Sequence, residues 1–133
     1  MRLILDTHYV YALAGTQTRL SARESAYLAT TTERFIVSAV SIWEIRLKWQ
    51  ALHASGTRKG PTSADQVLQA LVSQPIDFLP LTEEHAATPL AQPITHRDPF
   101  DELLLTQAQV EGARLLTRDK KLATHPLAQQ IAN

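Results

Sequence analysis

Five acids stand where an acid is either punctuation or chemistry. Asp98 and Asp101 lie three apart in THRDPFDELLLTQAQ (95–109), just before an apolar run. Asp6 ends RLILD, Asp119 ends ARLLTRD, and Glu44 sits in AVSIWEIRLKWQAL beside an apolar stripe. Each has a plain reading. Asp98 is a helix N-cap followed by Pro99 at the first helical position, the pairing those two positions favour most. Asp101 in the first turn is favoured by the helix dipole. Lys48 at i+4 offers Glu44 a surface ion pair worth a few tenths of a kcal/mol. Asp6 and Asp119 could each cap the helix that follows, yet aspartate is a poor strand former and both end apolar strands. Four of the acids, Asp6, Glu44, Asp101 and Asp119, read together as a group on one edge of one sheet. Such a group repels itself and raises its own pKa values unless a cation neutralises it. All-oxygen ligation suits Mg²⁺ or Mn²⁺ rather than zinc.

The elements that must position these residues follow from periodicity. RLILD (2–6) and FIVS (35–38) have the length and composition of buried strands, as does ARLLTRD (113–119), and IDFLPL (76–81) is a weaker one. Helices are expected through Tyr11, Ala12 and Leu13 to Gly15, then from the capping box Ser21 to Glu24 through about Thr30. A third covers 39–52, with Ile42, Ile45, Trp49 and Leu52 on one stripe. Ser63 to Gln66 is a second capping box, opening a helix that runs to about Gln74 before Pro75. TEEHAATPLAQ is a short helix interrupted by Pro89, and the helix after Asp98 runs to Gly112. HASGTRKGPT (53–62) is a loop and the expected flexible element. Strands alternating with helices imply right-handed crossovers and a mostly parallel sheet covered on both faces, a three-layer α/β/α sandwich. Ligands bind beyond the carboxyl ends of strands in such sheets, which is where Asp6 and Asp119 fall.

At 133 residues the chain fits one domain, 1–133. With no cysteine, disulfides, thiolate metal sites and cysteine nucleophiles are excluded, and a reducing, cytoplasmic setting is the expectation. The opening MRLILDTHYVYALAG is broken by Asp6 and His8, so it does not read as a signal peptide, and no stretch approaches the ~18 apolar residues of a membrane span. Thirteen basic residues balance thirteen acids, so no global positive field advertises nucleic acid; acids neutralised by cations would leave the rest net positive. His8, His53, His85, His96 and His125 have no paired-ligand spacing for zinc, and the four glycines make neither a P-loop nor a dinucleotide fingerprint. A phospho-aspartate phosphatase at Asp6 would want an acid two residues on, where His8 stands.

LILDTHYVYAL, VSAVSIWEIRLK, HRDPFDELLLTQA and LLTRD occur in the order and spacing of PIN-domain ribonucleases, and from Leu3 to about His125 the chain resembles VapC-type toxins of bacterial toxin–antitoxin pairs. The resemblance implies a PIN-like fold and a metal-dependent endoribonuclease. It makes Asp6 the first metal-site acid, Glu44 the second, Asp101 the third and Asp119 the fourth, with Mg²⁺ or Mn²⁺ as cofactor. Thr117 matches an accessory hydroxyl. His96 and Asp98 match a signature of structural support more than ligation. Glu102 stands where the subgroup commonly has arginine, which bears on a substrate or antitoxin contact. Implied partners are an RNA substrate, a VapB-like antitoxin whose tail lies in a hydrophobic groove, and a second copy in a homodimer. Trp43 or Trp49 could line that groove or serve the core. Arg46, Lys48, Arg118 and Lys120 could hold RNA or be solvated charges, and Arg58 and Lys59 could form a clamp. The rival readings are a small-molecule phosphohydrolase and a catalytically silent module that binds RNA or protein.

Overall fold

The computed structural model describes residues 1–16 and 18–131. Five strands form one sheet in the order β3-β2-β1-β4-β5, and every neighbouring pair is parallel. They are β1 (Arg2–Leu5), β2 (Arg34–Ser38), β3 (Ile76–Leu79), β4 (Arg114–Leu116) and β5 (Ala128–Gln129). Six helices connect them: α1 (Thr7–Leu13), α2 (Ala22–Thr30), α3 (Ala39–Gln50), α4 (Ala64–Leu71), α5 (Glu83–Ala87) and α6 (Pro99–Glu111). A 3-10 turn over Lys120–Leu122 follows β4.

Period-two alternation splits the core into two layers of side chains. Leu3 and Leu5 of β1, Val37 of β2 and Leu116 of β4 pack on one face with Tyr9, Val10, Ile45, Val67 and Leu71. Ile4, Ile36 and Leu115 point the other way, against Val40, Leu104, Leu105 and Ala108. Helices therefore cover both faces, the three-layer α/β/α arrangement of the sequence reading, with a sheet that is wholly rather than mostly parallel. All three of Leu3, Ile4 and Leu5 are fully buried, so β1 is the central strand by composition as well as by position.

Local chemistry explains most element ends. Both predicted capping boxes form, at Ser21 with Glu24 and at Ser63 with Gln66. Asp98 caps α6 with Pro99 behind it, and Gly112 ends it in the left-handed conformation at φ 64°, where any other residue would be strained.

Of the ends that differ from expectation, two have a clear tertiary cause. Helix α3 stops at Gln50, not at residue 52, because Leu52 pairs with Arg58 in an antiparallel bridge and the Lys59 N–H donates to the Ala51 carbonyl at 2.9 Å. Leu52 is thereby 55% exposed and leaves the apolar stripe. Helix α4 ends at Leu71 rather than near Gln74, whose side-chain amide instead satisfies the carbonyls of Leu13 and Ala70 at 2.7 and 3.1 Å. The short β5 had no readable pattern, two residues being too few to show a period. Among the described residues no helix is long and apolar enough to cross a membrane.

Candidate functional site at the carboxyl edge of the sheet

Parallel strands end on the same side, so the segments after β1, β2 and β4 meet at one edge. Asp6 follows β1 directly, and its backbone N–H extends the ladder to the Leu116 carbonyl at 3.0 Å. Its carboxylate caps α1, accepting from the Tyr9 N–H at 3.2 Å, and also accepts from the Arg118 N–H at 3.4 Å. Burial pushes the Asp6 carboxyl above its usual range, against the downward pull of the Thr117 hydroxyl and the Tyr9 N–H.

After β4 the chain turns sharply. Thr117 is buried, its hydroxyl accepts from the Asp119 N–H at 3.1 Å, and Asp119 caps the 3-10 turn by accepting from the Lys121 N–H at 2.9 Å. Thr117 thus stands between the Asp6 carboxyl and the Asp119 backbone N–H.

Helix α6 brings the third acid. Asp98 spends its carboxylate on the N–H groups of Phe100 and Asp101, at 2.9 and 3.2 Å. Asp101, one turn in, stands with His96 Nε2 at 3.1 Å from its Oδ2. Burial pushes the Asp101 carboxyl up to about 6; His96 pulls it down, while the charges of Asp98 and Asp119 push it further up. Ligand atoms of His96, Asp101 and Asp119 lie within 4.8 Å of one another.

Asp6 and Glu44 lie outside that trio: Thr117 links Asp6 to the Asp119 turn, and Glu44 reaches only Thr7, the residue after Asp6. Glu44, on α3, accepts from the Thr7 hydroxyl at 2.5 Å and pairs with Lys48 at 3.1 Å. Thr7 is the residue after Asp6, so Glu44 reaches the site through a neighbour while also making its expected surface pair.

Among the described residues no lysine or arginine forms an ion pair with Asp6, Asp101 or Asp119. Two carboxylates and an imidazole within 4.8 Å, with one carboxyl pushed up to about 6, suit a divalent cation by charge and by donor type. His96 belongs to this donor set, although its sequence reading was support more than ligation.

The basic residues divide. Arg118 turns inward to Glu24, and Arg58 lies over the Trp49 ring at 4.3 Å while donating to the Trp49 carbonyl at 2.6 Å. The 51–60 segment is accordingly folded back on the end of α3. A Cβ on Gly60 would meet the Trp49 nitrogen at 3.0 Å, a close approach that needs glycine. Arg46, Lys120 and Lys59 stay on the surface.

The tryptophans divide too. Trp43 is 45% exposed and meets Phe100 edge to face at 5.4 Å, beside the start of α6, whereas Trp49 is partly buried. Between α3, α4 and the end of β3 an apolar groove of about 320 Å³ is lined by Ala39, Ile42, Leu68, Phe78, Leu79 and Pro80.

Glu24 was missed. It was legible only as the third residue of a capping box, yet it is 1% exposed and bonded to Tyr9 and Arg118. Although burial pushes its carboxyl up, donors from Ser21, Tyr9 and Arg118 prevail and hold it down at about 2. No local pattern could have linked it to Arg118, because partners so far apart in sequence leave no periodic trace.

Comparison with known proteins bears on the fold and the family. Solved structures share the fold across nearly the whole chain at low identity. VapBC from Salmonella typhimurium, determined bound to DNA, matches with a TM-score of 0.64 at 15% identity, covering 99% of each chain. VapBC2 from Rickettsia felis, bound to a DNA fragment from its promoter, gives 0.61 at 18%, covering 98% of each. VapBC-1 from nontypeable Haemophilus influenzae gives 0.60 at 16% over the full length of both. Among curated protein sequences nothing matches the chain. The PIN domain profile matches residues 3–126, from the central strand through the acidic edge, and the chain belongs to the PIN-domain family.

Proposed function

We propose that this protein is a metal-dependent endoribonuclease, acting over residues 1–133 as one PIN-like unit and serving as the VapC-like toxin of a toxin–antitoxin pair. The observation that carries the reading is the meeting of Asp101, Asp119 and His96 at the carboxyl edge of a PIN-family sheet, with Asp6 and Glu44 tied to the same edge. Asp101 and Asp119, with His96 in reach, would hold the cation, and Asp6 and Glu44 complete the four-acid set. Mg²⁺ or Mn²⁺ bound there supplies Lewis-acid polarisation of the scissile phosphate and activation of water.

The chain's own residues do the rest. Asp6, held by two backbone N–H groups, presents its carboxylate in a set orientation, and Thr117 ties the turn carrying Asp119 to it. The start of α6, pinned by Asp98, sets where Asp101 stands. No histidine base is required, and Arg46, Lys59 and Lys120 are among the surface cations available for an RNA backbone.

The relatives of this fold were determined as VapBC toxin–antitoxin complexes, which supports a VapB-like antitoxin as partner. The apolar groove lined by Ile42, Leu68, Phe78 and Leu79 suits its apolar segment. Homodimer formation and a cytoplasmic site of action belong to the same reading.

The test is cleavage of RNA with Mg²⁺ or Mn²⁺, abolished by EDTA and by Asp6→Asn or Asp101→Asn with the fold retained. Undiminished cleavage by Asp101→Asn sinks the proposal. Hydrolysis of a generic phosphomonoester would favour a phosphohydrolase instead, and RNA bound but left intact with metal present would favour a silent module. Growth arrest on expression, relieved by Asp6→Asn, tests the toxin role.

A further inference from the structure

Glu24 is an acid at this edge that the proposed chemistry does not use. A lone buried carboxylate is costly, so its partners indicate what it is for. The capping box accounts for one bond, from the Ser21 N–H to Oε1 at 2.9 Å. The Tyr9 hydroxyl donates to Oε2 at 2.5 Å, and Arg118 donates from Nε and Nη2 at 3.2 and 2.5 Å. These two residues are the ones whose backbone N–H groups hold Asp6, Tyr9 on Oδ1 and Arg118 on Oδ2. Two peptides from distant parts of the chain thus grip one site carboxylate, and their side chains converge on a second carboxylate behind it. Tyr9 is buried and cannot swing away, whereas the Arg118 side chain is 41% exposed, so its ion pair with Glu24 is what keeps it turned inward.

We propose that Glu24 is a positioning residue for Asp6: by holding Tyr9 and Arg118 together it keeps both backbone donors on the Asp6 carboxylate and fixes that carboxylate in one orientation. Arg118 then serves the interior and does not grip RNA. The inference rests on the reading of Asp6 as a site acid, and its first measurement needs neither metal nor activity.

Glu24→Gln keeps an acceptor for Ser21 and Tyr9 but removes the charge that holds Arg118. Arg118→Gln breaks the same link from the exposed end and leaves its backbone N–H chemically unchanged, providing a second variant if the first folds poorly. In the metal-free protein, amide hydrogen exchange at Tyr9 and Arg118 is expected to quicken in these variants about tenfold more than at core amides such as Ile4 and Ile36, whose change reports only the loss of global stability. With Mn²⁺ added, affinity is expected to fall about tenfold, the scale for residues that orient a ligand, and cleavage of RNA should recover at high Mn²⁺. A misfolded protein would show no such rescue.

Unchanged exchange at both amides in both variants overturns the inference, whatever the protein does with RNA. Acceleration at Tyr9 and Arg118 no greater than that of the core amides in both variants also overturns it, by assigning Glu24 to overall stability alone. A wild-type protein that neither binds Mn²⁺ nor cleaves RNA refutes the functional reading, while the exchange measurement still decides the role of Glu24.

Discussion

Asp6 receives two backbone N–H groups and stands beside the Thr117 hydroxyl, whereas Asp101 meets His96 and the charges of two further acids, Asp98 and Asp119. The two corners occupy the same sheet edge and both carboxyls are pushed upward by burial. At the first corner the fold supplies donors, and behind them Glu24 supplies an anchor. At the second the fold supplies like charge, which a bound cation would offset. Under the proposed function the preorganised acid would orient and the undercompensated one would bind metal, two roles that phosphate-ester chemistry needs.

Breaking the second corner should have the largest effect. Asp101→Asn is expected to lower RNA cleavage about a thousandfold, the upper range for losing one preorganised electrostatic partner, with the thermal transition of the metal-free protein unchanged or raised because a repulsive charge is gone. Single-turnover cleavage and a melting curve check both parts.

Breaking the first corner acts on stability. The Glu24 carboxyl is held at about 2 against an ordinary 4.5, so its folded-state pKa is depressed. Its contribution, up to about 3 kcal/mol, is then fully present above the ordinary value and lost as pH falls through about 2. Denaturant unfolding of wild type and Glu24→Gln should differ by about that amount at pH 7 and converge toward pH 2.

The third prediction sharpens the contrast by pH. Asp101 is raised to about 6, so protons compete with a cation for it as pH falls through that value. Mn²⁺ affinity measured by EPR should weaken by up to about tenfold per pH unit below 6 and level off above it, one proton being displaced. Metal should accordingly raise the melting temperature more at pH 7.5 than at pH 5.

The smallest effect separates punctuation from chemistry within one turn of α6. Asp98→Ala should cost about 1 kcal/mol of stability and Asp98→Asn only a few tenths, because asparagine caps as well as aspartate. Calorimetry distinguishes the two.

Much of the fold was legible because it is written in short-range terms. Apolar runs ending in an acid marked β1 and β4, two capping boxes marked α2 and α4, and Asp98-Pro99 with Gly112 marked both ends of α6. Where the reading went astray, a long-range contact had overruled local preference. Helix α3 is cut short by the Leu52–Arg58 bridge, and α4 ends before Gln74, which caps α1 instead. The 53–62 segment, expected to be flexible, is held by Arg58 on Trp49.

The same division runs through the site. Sequence by itself determined which acids stand at strand and helix ends, because apolar runs, caps and proline positions are local properties with a mechanism at each residue. Only the tertiary structure decided that Asp101 and Asp119 come together with His96, that Glu44 reaches Asp6 through Thr7, and that Glu24 ties down Tyr9 and Arg118. Sheet order makes those juxtapositions. Side-chain contacts between elements so far apart in sequence depend on packing of the whole core, and no window of residues carries that information.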